Sequence, residues 1–312
     1  MAVTLAQASL NADNDIDHQI IDEFRKSSFL LDNIPFDQSV NPSGGGSTLV
    51  YGYTRQITQR SAAFRTINTE YVPAEVTKQQ YTVNLRPMGG SFQIDRVLTG
   101  IGAVSETSFQ LSQLIKATRA YFADQVVNGD TAVTTNGFDG LSKALTGSST
   151  EVLSTLDFTV IDTQPEALQA IQKINDWLSL LDGRPDALLM NGTTRSLFSM
   201  IAAFSGQLRS ATDSFGEMVE TFRGIPLIDL GDKAGASTPV IPITTGKSDI
   251  YAVRFGIDGF HAVSVPGSLI QTWLPDFTVA GAVKTGECEL GPAAIVLKAS
   301  KAAGVLRGVK VA

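Results

Sequence analysis

Apolar or tolerant side chains recur between Ser105 and Asp130 at Leu111, Leu114, Ile115, Thr118, Tyr121, Phe122, Gln125 and Val126. That period draws one stripe along an amphipathic helix, the longest the sequence predicts. Ser105 can cap its start, but position N3 is Ser108 rather than Glu or Gln, so the capping box is incomplete. Asn128-Gly129-Asp130 is expected to end it, with Asn or Gly turning into the left-handed region. Twenty-odd helical residues span about 35 Å, the width of a domain.

The stretch before this helix is patterned for strands. TLVYGYTRQIT and AFRTINTEYV are dense in Thr, Tyr, Val and Ile. YTVNLR alternates, with Tyr81, Val83 and Leu85 on one face and Thr82, Asn84 and Arg86 on the other. Pro87-Met88-Gly89-Gly90 is expected to break the run before SFQIDRVL resumes it. So many polar and basic positions predict a projecting hairpin more than a core sheet. Residues 1–45 read as an arm. Ile20, Ile21, Phe24 and Leu31 share one side of a short helix from Asp17 to about Leu31, and Asn41–Ser47 is a flexible linker by composition. Such an arm buries little by itself and is expected to pack on something else.

After the helix, Asn136-Gly137-Phe138-Asp139-Gly140-Leu141 is a turn cluster with an apolar anchor. A helix from Pro165 to Leu181 directs Ala167, Ile171, Ile174 and Leu178 inward. Asp182-Gly183-Arg184-Pro185 stops it, and ALLMN (187–191) is a short buried strand. A further helix, 194–208, has Leu197, Phe198, Ile201 and Phe204 inward. FRGIPLIDL predicts a strand with a Gly-Ile-Pro bend. DIYAVRFG, FHAVSV, LIQTWL, PAAIVLKA and GVLRGVKV predict the remaining strands. The order is mixed α+β, without the βαβα regularity of a doubly wound sheet or a solenoid period.

Charge changes this picture. Residues 1–45 carry seven acids against Arg25 and Lys26, whereas 46–100 carry six bases against Glu70, Glu75 and Asp95. The formal net charge of -7 is not that of a protein built to grip nucleic acid. Segments of opposite sign suggest contact with each other or between subunits. On that ground Arg55, Arg60, Arg65, Glu70, Glu75 and Arg86 are the candidate inter-subunit contacts. Hydrophobic residues at 43% and charged ones at 18% mark a globular chain. No apolar run approaches the ~18 residues of a membrane span. MAVTLAQASLNADND lacks the basic and apolar regions of a secretory leader. The single cysteine, Cys288, excludes an internal disulfide and most zinc sites, which fits a reducing cytoplasm.

No catalytic constellation emerges. Gly246-Lys247-Ser248 ends like a phosphate loop, but the opening glycine of that motif is missing, so a polar turn before a strand is expected. Gly100-Ile101-Gly102 has Ser105 in place of the third glycine of a dinucleotide fingerprint. Asp13, Asp15 and Asp17 alternate like a calcium loop, but His18 and Phe24 replace its Gly and Glu. His261 reads as a strand residue, and neither it nor His18 accompanies a nucleophile motif. Cys288, between Glu287 and Glu289, is expected to have a raised pKa and to stay inert. Asn191-Gly192-Thr193 fits a glycosylation pattern that matters only in a secreted chain. No cofactor and no metal site is expected, and the chain reads as structural rather than as an enzyme.

The ordered set of elements resembles the major capsid proteins of tailed bacteriophages, the Hong Kong 97 fold, over roughly residues 15–312. The resemblance rests on the arm, the hairpin at Leu49–Leu98, the long helix, the VNGD…NGFDGL segment from Val127 to Leu141, PDALLMNGTTRSLFSMI, FRGIPLIDLG and DIYAVRFGIDGFHAVS. It implies an N-terminal arm (1–47), an extended loop (48–99), a peripheral domain (100–185 and 266–312) holding the spine helix 105–130, and an axial domain (186–265). It implies self-assembly into hexamers and pentamers of an icosahedral shell, a virion capsid put together in the cytoplasm of a bacterial host around double-stranded DNA held non-specifically. Portal and scaffolding proteins, and a decoration protein, are the implied partners, with no membrane. The family's long helical extension before the arm has no counterpart, so a fused scaffolding segment is expected to be absent. Its occasional Lys–Asn cross-link finds no matching motif. An encapsulin-like shell around protein cargo and a cytosolic α+β enzyme are the alternatives.

Overall fold

The computed structural model describes residues 29–40, 49–100, 105–212, 218–267 and 269–312. The expected arm helix before Phe29, its histidine and aspartates, the linker 41–47 and most of Gly100-Ile101-Gly102 lie outside the described residues.

In chain order, a helical turn α1 (Phe29–Asn33) buries Leu30 and leads into a two-residue strand β1 (Phe36–Asp37). Strands β2 (Val50–Gln56) and β3 (Lys78–Asn84) pair antiparallel with each other alone, from Val50↔Asn84 to Gln56↔Lys78. Next come β4 (Arg86–Asp95), the long helix α2 (Glu106–Asn128), α3 (Leu141–Leu145), β5 (Glu151–Leu153) and α4 (Gln164–Leu178). Then follow β6 (Ala187–Met190), α5 (Gly192–Phe204), β7 (Leu208–Thr212), β8 (Met218–Phe222), β9 (Ile225–Asp229) and β10 (Lys247–Val253). The chain closes with β11 (Phe260–Ser264), β12 (Ile270–Trp273), β13 (Val283–Leu297) and β14 (Ala303–Lys310).

Two sheets organise these elements. A 7-stranded sheet runs β5-β14-β10-β6-β9-β8-β7, and a 5-stranded sheet runs β1-β11-β13-β12 with β4 also on β13. All four residues of β6 are buried, because its sheet is covered on both faces. Leu188 and Met190 join the core under α4 and α5, while Ala187 and Leu189 face the core shared with the C-terminal half of α2. The last strands pair with the middle of the chain: β14 lies beside β10, and β13 lies beside β11.

Ser105 caps α2 by accepting from the Ser108 amide. Its stripe is buried at Thr118, Phe122 and Val126, but Tyr121 is exposed, and Ala123 and Val127 are buried instead. The helix does not end in a left-handed residue. Gly129 has φ -53, and glycine is needed there because a Cβ would stand 2.5 Å from the Gln125 and Phe138 carbonyl oxygens.

Four other expectations change. AFRTINTEYV is not a strand: no neighbouring strand offers it hydrogen bonds, and residues 57–77 form neither helix nor strand. Pro87-Met88-Gly89-Gly90 does not break the run but lies inside β4. Pro87 sits where the register with β13 shifts, between Leu290↔Met88 and Ala293↔Arg86. Gly89 is there because a Cβ would come within 2.1 Å of the Cys288 carbonyl oxygen. FRGIPLIDL is not one bent strand: Phe222 ends β8, Arg223 and Gly224 make a tight turn with φ 51 and φ 80, and Ile225–Asp229 is β9, with Phe222 paired with Ile225. Phe204, at the last turn of α5, is exposed. The helix at 165–181 forms nearly as expected, started by a Thr163–Glu166 capping box.

Candidate functional site

Among the described residues the β2–β3 hairpin stands outside the two larger sheets, and the arm anchor enters the second of them through β1. Both are built on the end of the β11–β13 pair. β1 runs parallel to β11 through Phe36↔Ala262 and Asp37↔Val263. The hairpin stem carries Tyr51, Tyr53 and Arg55 on one face of β2, two residues apart as strand geometry requires. Tyr53 stacks on Tyr81 of β3 with ring centroids 5.5 Å apart. The Arg55 guanidinium lies 4.6 Å from the Tyr81 ring centroid. It donates from Nε to the Lys298 carbonyl at 2.9 Å and from Nη2 to the Leu297 carbonyl at 2.7 Å. The Tyr53 hydroxyl reaches the same Leu297 carbonyl at 3.4 Å. Below them, the Tyr51 hydroxyl donates to Asp37 at 3.0 Å, and Lys298 Nζ stands 5.4 Å from the Tyr51 ring centroid.

Burial pushes the Tyr53 hydroxyl above its ordinary pKa, which the Arg55 charge only partly offsets. Burial also pushes Asp37 up. The hydrogen bonds from Tyr51 and Ser39 outweigh it, with help from the Lys298 charge, so the carboxyl stays below its usual range.

The hairpin tip has no such attachments to the body. Phe64 is fully exposed at 107%, and Ile57, Ile67, Tyr71 and Val72 are exposed as well. Arg65 donates to the Thr69 carbonyl at 3.1 Å and lies 5.5 Å from the Tyr71 ring centroid. The tip curls around an open concavity of about 820 Å³ lined only by its own residues.

The six candidate contact residues therefore separate. Arg60, Arg65, Glu70 and Glu75 are exposed on the tip, and among the described residues none of them is ion-paired. Arg55 is held inside its own subunit. Arg86 lies in β4, opposite Ala293, with its Nε buried and without a hydrogen-bond partner. The composition argument missed Tyr51, Tyr53, Tyr81, Asp37 and Lys298. The Tyr-x-Tyr-x-Arg alternation of β2 was the available signal.

The other singled-out residues have structural places. Gly246 turns with φ 73 ahead of β10, and its carbonyl accepts from the Val311 amide at 2.8 Å. Cys288 is buried in β13, and burial is what pushes its thiol up; Glu287 and Glu289 alternate to the opposite face. Asn191 is buried as the N-cap of α5 and donates to Ile241 and Ser248. His261 is buried in β11.

No protein-family model and no curated protein matches the sequence. Solved structures do match over the full length. The chain superposes on the holo-SrpI encapsulin complex from Synechococcus elongatus with TM-score 0.63 and 14% identity, covering 100% of this chain and 97% of that one. The capsid of a native GTA particle gives TM-score 0.63 and 13% identity over 97% of both chains. The capsid of Myoviridae phage XM1 gives TM-score 0.61 and 14% identity over 99% of both. The chain has the fold of phage capsid proteins and of an encapsulin, the Hong Kong 97 fold that the order of its elements resembles. At this identity the likeness is one of fold.

Proposed function

We propose that this chain is the major capsid protein of a tailed bacteriophage, a structural protein that assembles into hexamers and pentamers of an icosahedral shell around double-stranded DNA. The observation that carries the proposal is the hairpin. Its stem is bolted to the body by Arg55 and Tyr53, while its tip leaves Phe64, Ile67 and Val72 uncovered by any of the described residues. A rigid arm with an apolar end, offset from the body, makes a heterologous contact that closes into rings. Apolar burial at the tip, about 25 cal/mol per Å² before association costs, would drive the contact. Arg60, Arg65, Glu70 and Glu75 would set its register more than its strength. Assembly would take place in the bacterial cytoplasm, with portal, scaffolding and decoration proteins as partners, and the product would be the virion capsid.

The test is electron microscopy of the purified protein with nucleic-acid quantification after nuclease treatment. Closed particles protecting double-stranded DNA, from cells that also supply portal and packaging functions, support the proposal. A monomer at high concentration ends it. The second reading, a shell around protein cargo, is supported by the equal TM-score of 0.63 for the encapsulin and the GTA capsid. Particles that co-purify with one enzyme and no protected DNA would select it.

A further inference from the structure

His261 is fully buried, and among the described residues neither ring nitrogen makes a hydrogen bond of normal geometry, although the Gly259 backbone is close enough to favour the charged ring. Leaving such groups unpaired costs stability, so the position calls for an explanation. The imidazole meets Tyr51 edge-on, centroids 6.1 Å apart at 80°. Tyr51 belongs to the hairpin stem and donates to Asp37 of the arm anchor. The strand carrying His261 is also the strand on which β1 pairs. Arm and hairpin thus converge on one buried imidazole.

The charged and titratable groups facing it are Asp37 from β1, Tyr51 from β2, Lys298 from the end of β13, and Asp258 from the turn before β11. Asp37 and Asp258 are both held below the usual carboxylate range, Asp258 chiefly by its bond from Arg254. In mildly acidic solution they remain ionised, and the imidazole is the group whose charge changes. Burial, and next the Lys298 charge, hold the imidazole below its ordinary value of 6.5.

We propose that His261 is a proton-operated release, whose protonation unseats the hairpin stem and the arm anchor from β11 together. A neutral ring is tolerated in the dry seat. A protonated ring adds a second cation beside Lys298, with two N–H groups for which the Gly259 backbone compensates only in part, and opening the seat to water relieves both. An opened seat, with an ordinary imidazole, takes the proton first. Opening therefore gains as pH falls through about 6.5, until the closed-state pKa is reached. Each unit by which burial lowers that pKa is worth up to about tenfold in the opening equilibrium. On the shell reading, both structures that reach toward neighbours would loosen at once. The step itself belongs to the single chain and is measured without assembly.

The chain has two histidines, so His18→Gln leaves His261 as the one imidazole signal. Its midpoint is read by nuclear magnetic resonance. Amide exchange of residues 50–56, corrected for intrinsic rate, is followed over the same pH series. The expected result is a midpoint below that of a free histidine and a loss of protection that tracks it. His261→Phe should remove the step while the strands remain protected. An ordinary midpoint, protection unchanged through the titration, or a step that survives in His261→Phe overturns the proposal. If His261→Phe does not fold, the coincidence of the two midpoints in His18→Gln decides alone. Failure of the closed shells with an intact step would overturn the capsid reading and leave this one standing.

Discussion

Gly129 and Gly140 lie backbone on backbone. The Gly140 amide donates to the Gly129 carbonyl at 2.7 Å, and a Cβ on Gly140 would stand 2.6 Å from the Gly129 nitrogen. The contact folds the segment after the long helix back onto its end and places Phe138 and Leu141 in the core. The clash would be with backbone, which has nowhere to go. Gly140→Ala is expected to destabilise by at least the roughly 1–3 kcal/mol of an overpacked core. A urea midpoint within error of the wild type would refute this.

Arg55 fastens the hairpin to the body through two carbonyls and the face of Tyr81. Arg55→Ala is expected to cost about 1–2 kcal/mol, less than a fully buried charged pair because the side chain is half-exposed. The effect should be local. Amides of the β2–β3 ladder should exchange faster while those of β6 and β10 keep their protection. Uniform loss across all strands would contradict the local role.

Charge reversal on the tip should separate assembly from folding. Arg60 and Arg65 are exposed, so Arg60→Glu with Arg65→Glu is expected to change subunit stability by no more than about 0.5 kcal/mol. The same variant should fail to form closed particles by electron microscopy. Including Arg55 would confuse the result, because that residue works within its own subunit. Normal particles from the double variant would remove the tip charges from the assembly contact.

Asp157 accepts from Lys310 Nζ at 2.8 Å and from Thr159, and these bonds lower its pKa from 3.8 to about 2. A depressed carboxyl contributes stability above its ordinary pKa and loses it as pH falls through the native value. The wild type should therefore lose thermal stability more steeply between pH 3.8 and about 2 than Asp157→Asn does. Parallel curves for the two proteins would show that the bond contributes nothing.

Asn191 caps α5 through the Thr194 amide and satisfies the Ile241 carbonyl and the Ser248 hydroxyl from a buried position. Asn191→Ala removes the cap and strands both partners, for an expected cost of roughly 2–4 kcal/mol. A melting temperature matching the wild type would show that water replaces the amide fully.

Much of this architecture is legible in local pattern. The stripe from Leu111 to Val126, the capping residues Ser105 and Thr163, and the apolar run Ala187–Met190 each specify an element through near neighbours alone. The order of those elements was enough to suggest the fold. Local pattern misled where a distant backbone made the choice. Pro87 to Gly90 looked like a break and is strand, because β13 lies against it closely enough to exclude a side chain at Gly89. AFRTINTEYV looked like strand and is not, because among the described residues no strand lies beside it. Arg55 and Arg65 were alike as charges on a hairpin, yet one is spent on Leu297 and Lys298, more than two hundred residues away, and the other is exposed and bonds only within the tip, to Thr69 and against Tyr71.

The sequence by itself determined the three long helices, which segments are apolar enough for a core, and that an acidic segment and a basic one precede the longest helix. Periodicity, capping and net charge are properties of neighbouring residues, so they survive without coordinates. Only the tertiary structure decided which charges remain free and that arm and hairpin share a seat above His261. Strand pairing across long separations brings those side chains together, and His261 is buried where β1, β2, β11 and β13 meet.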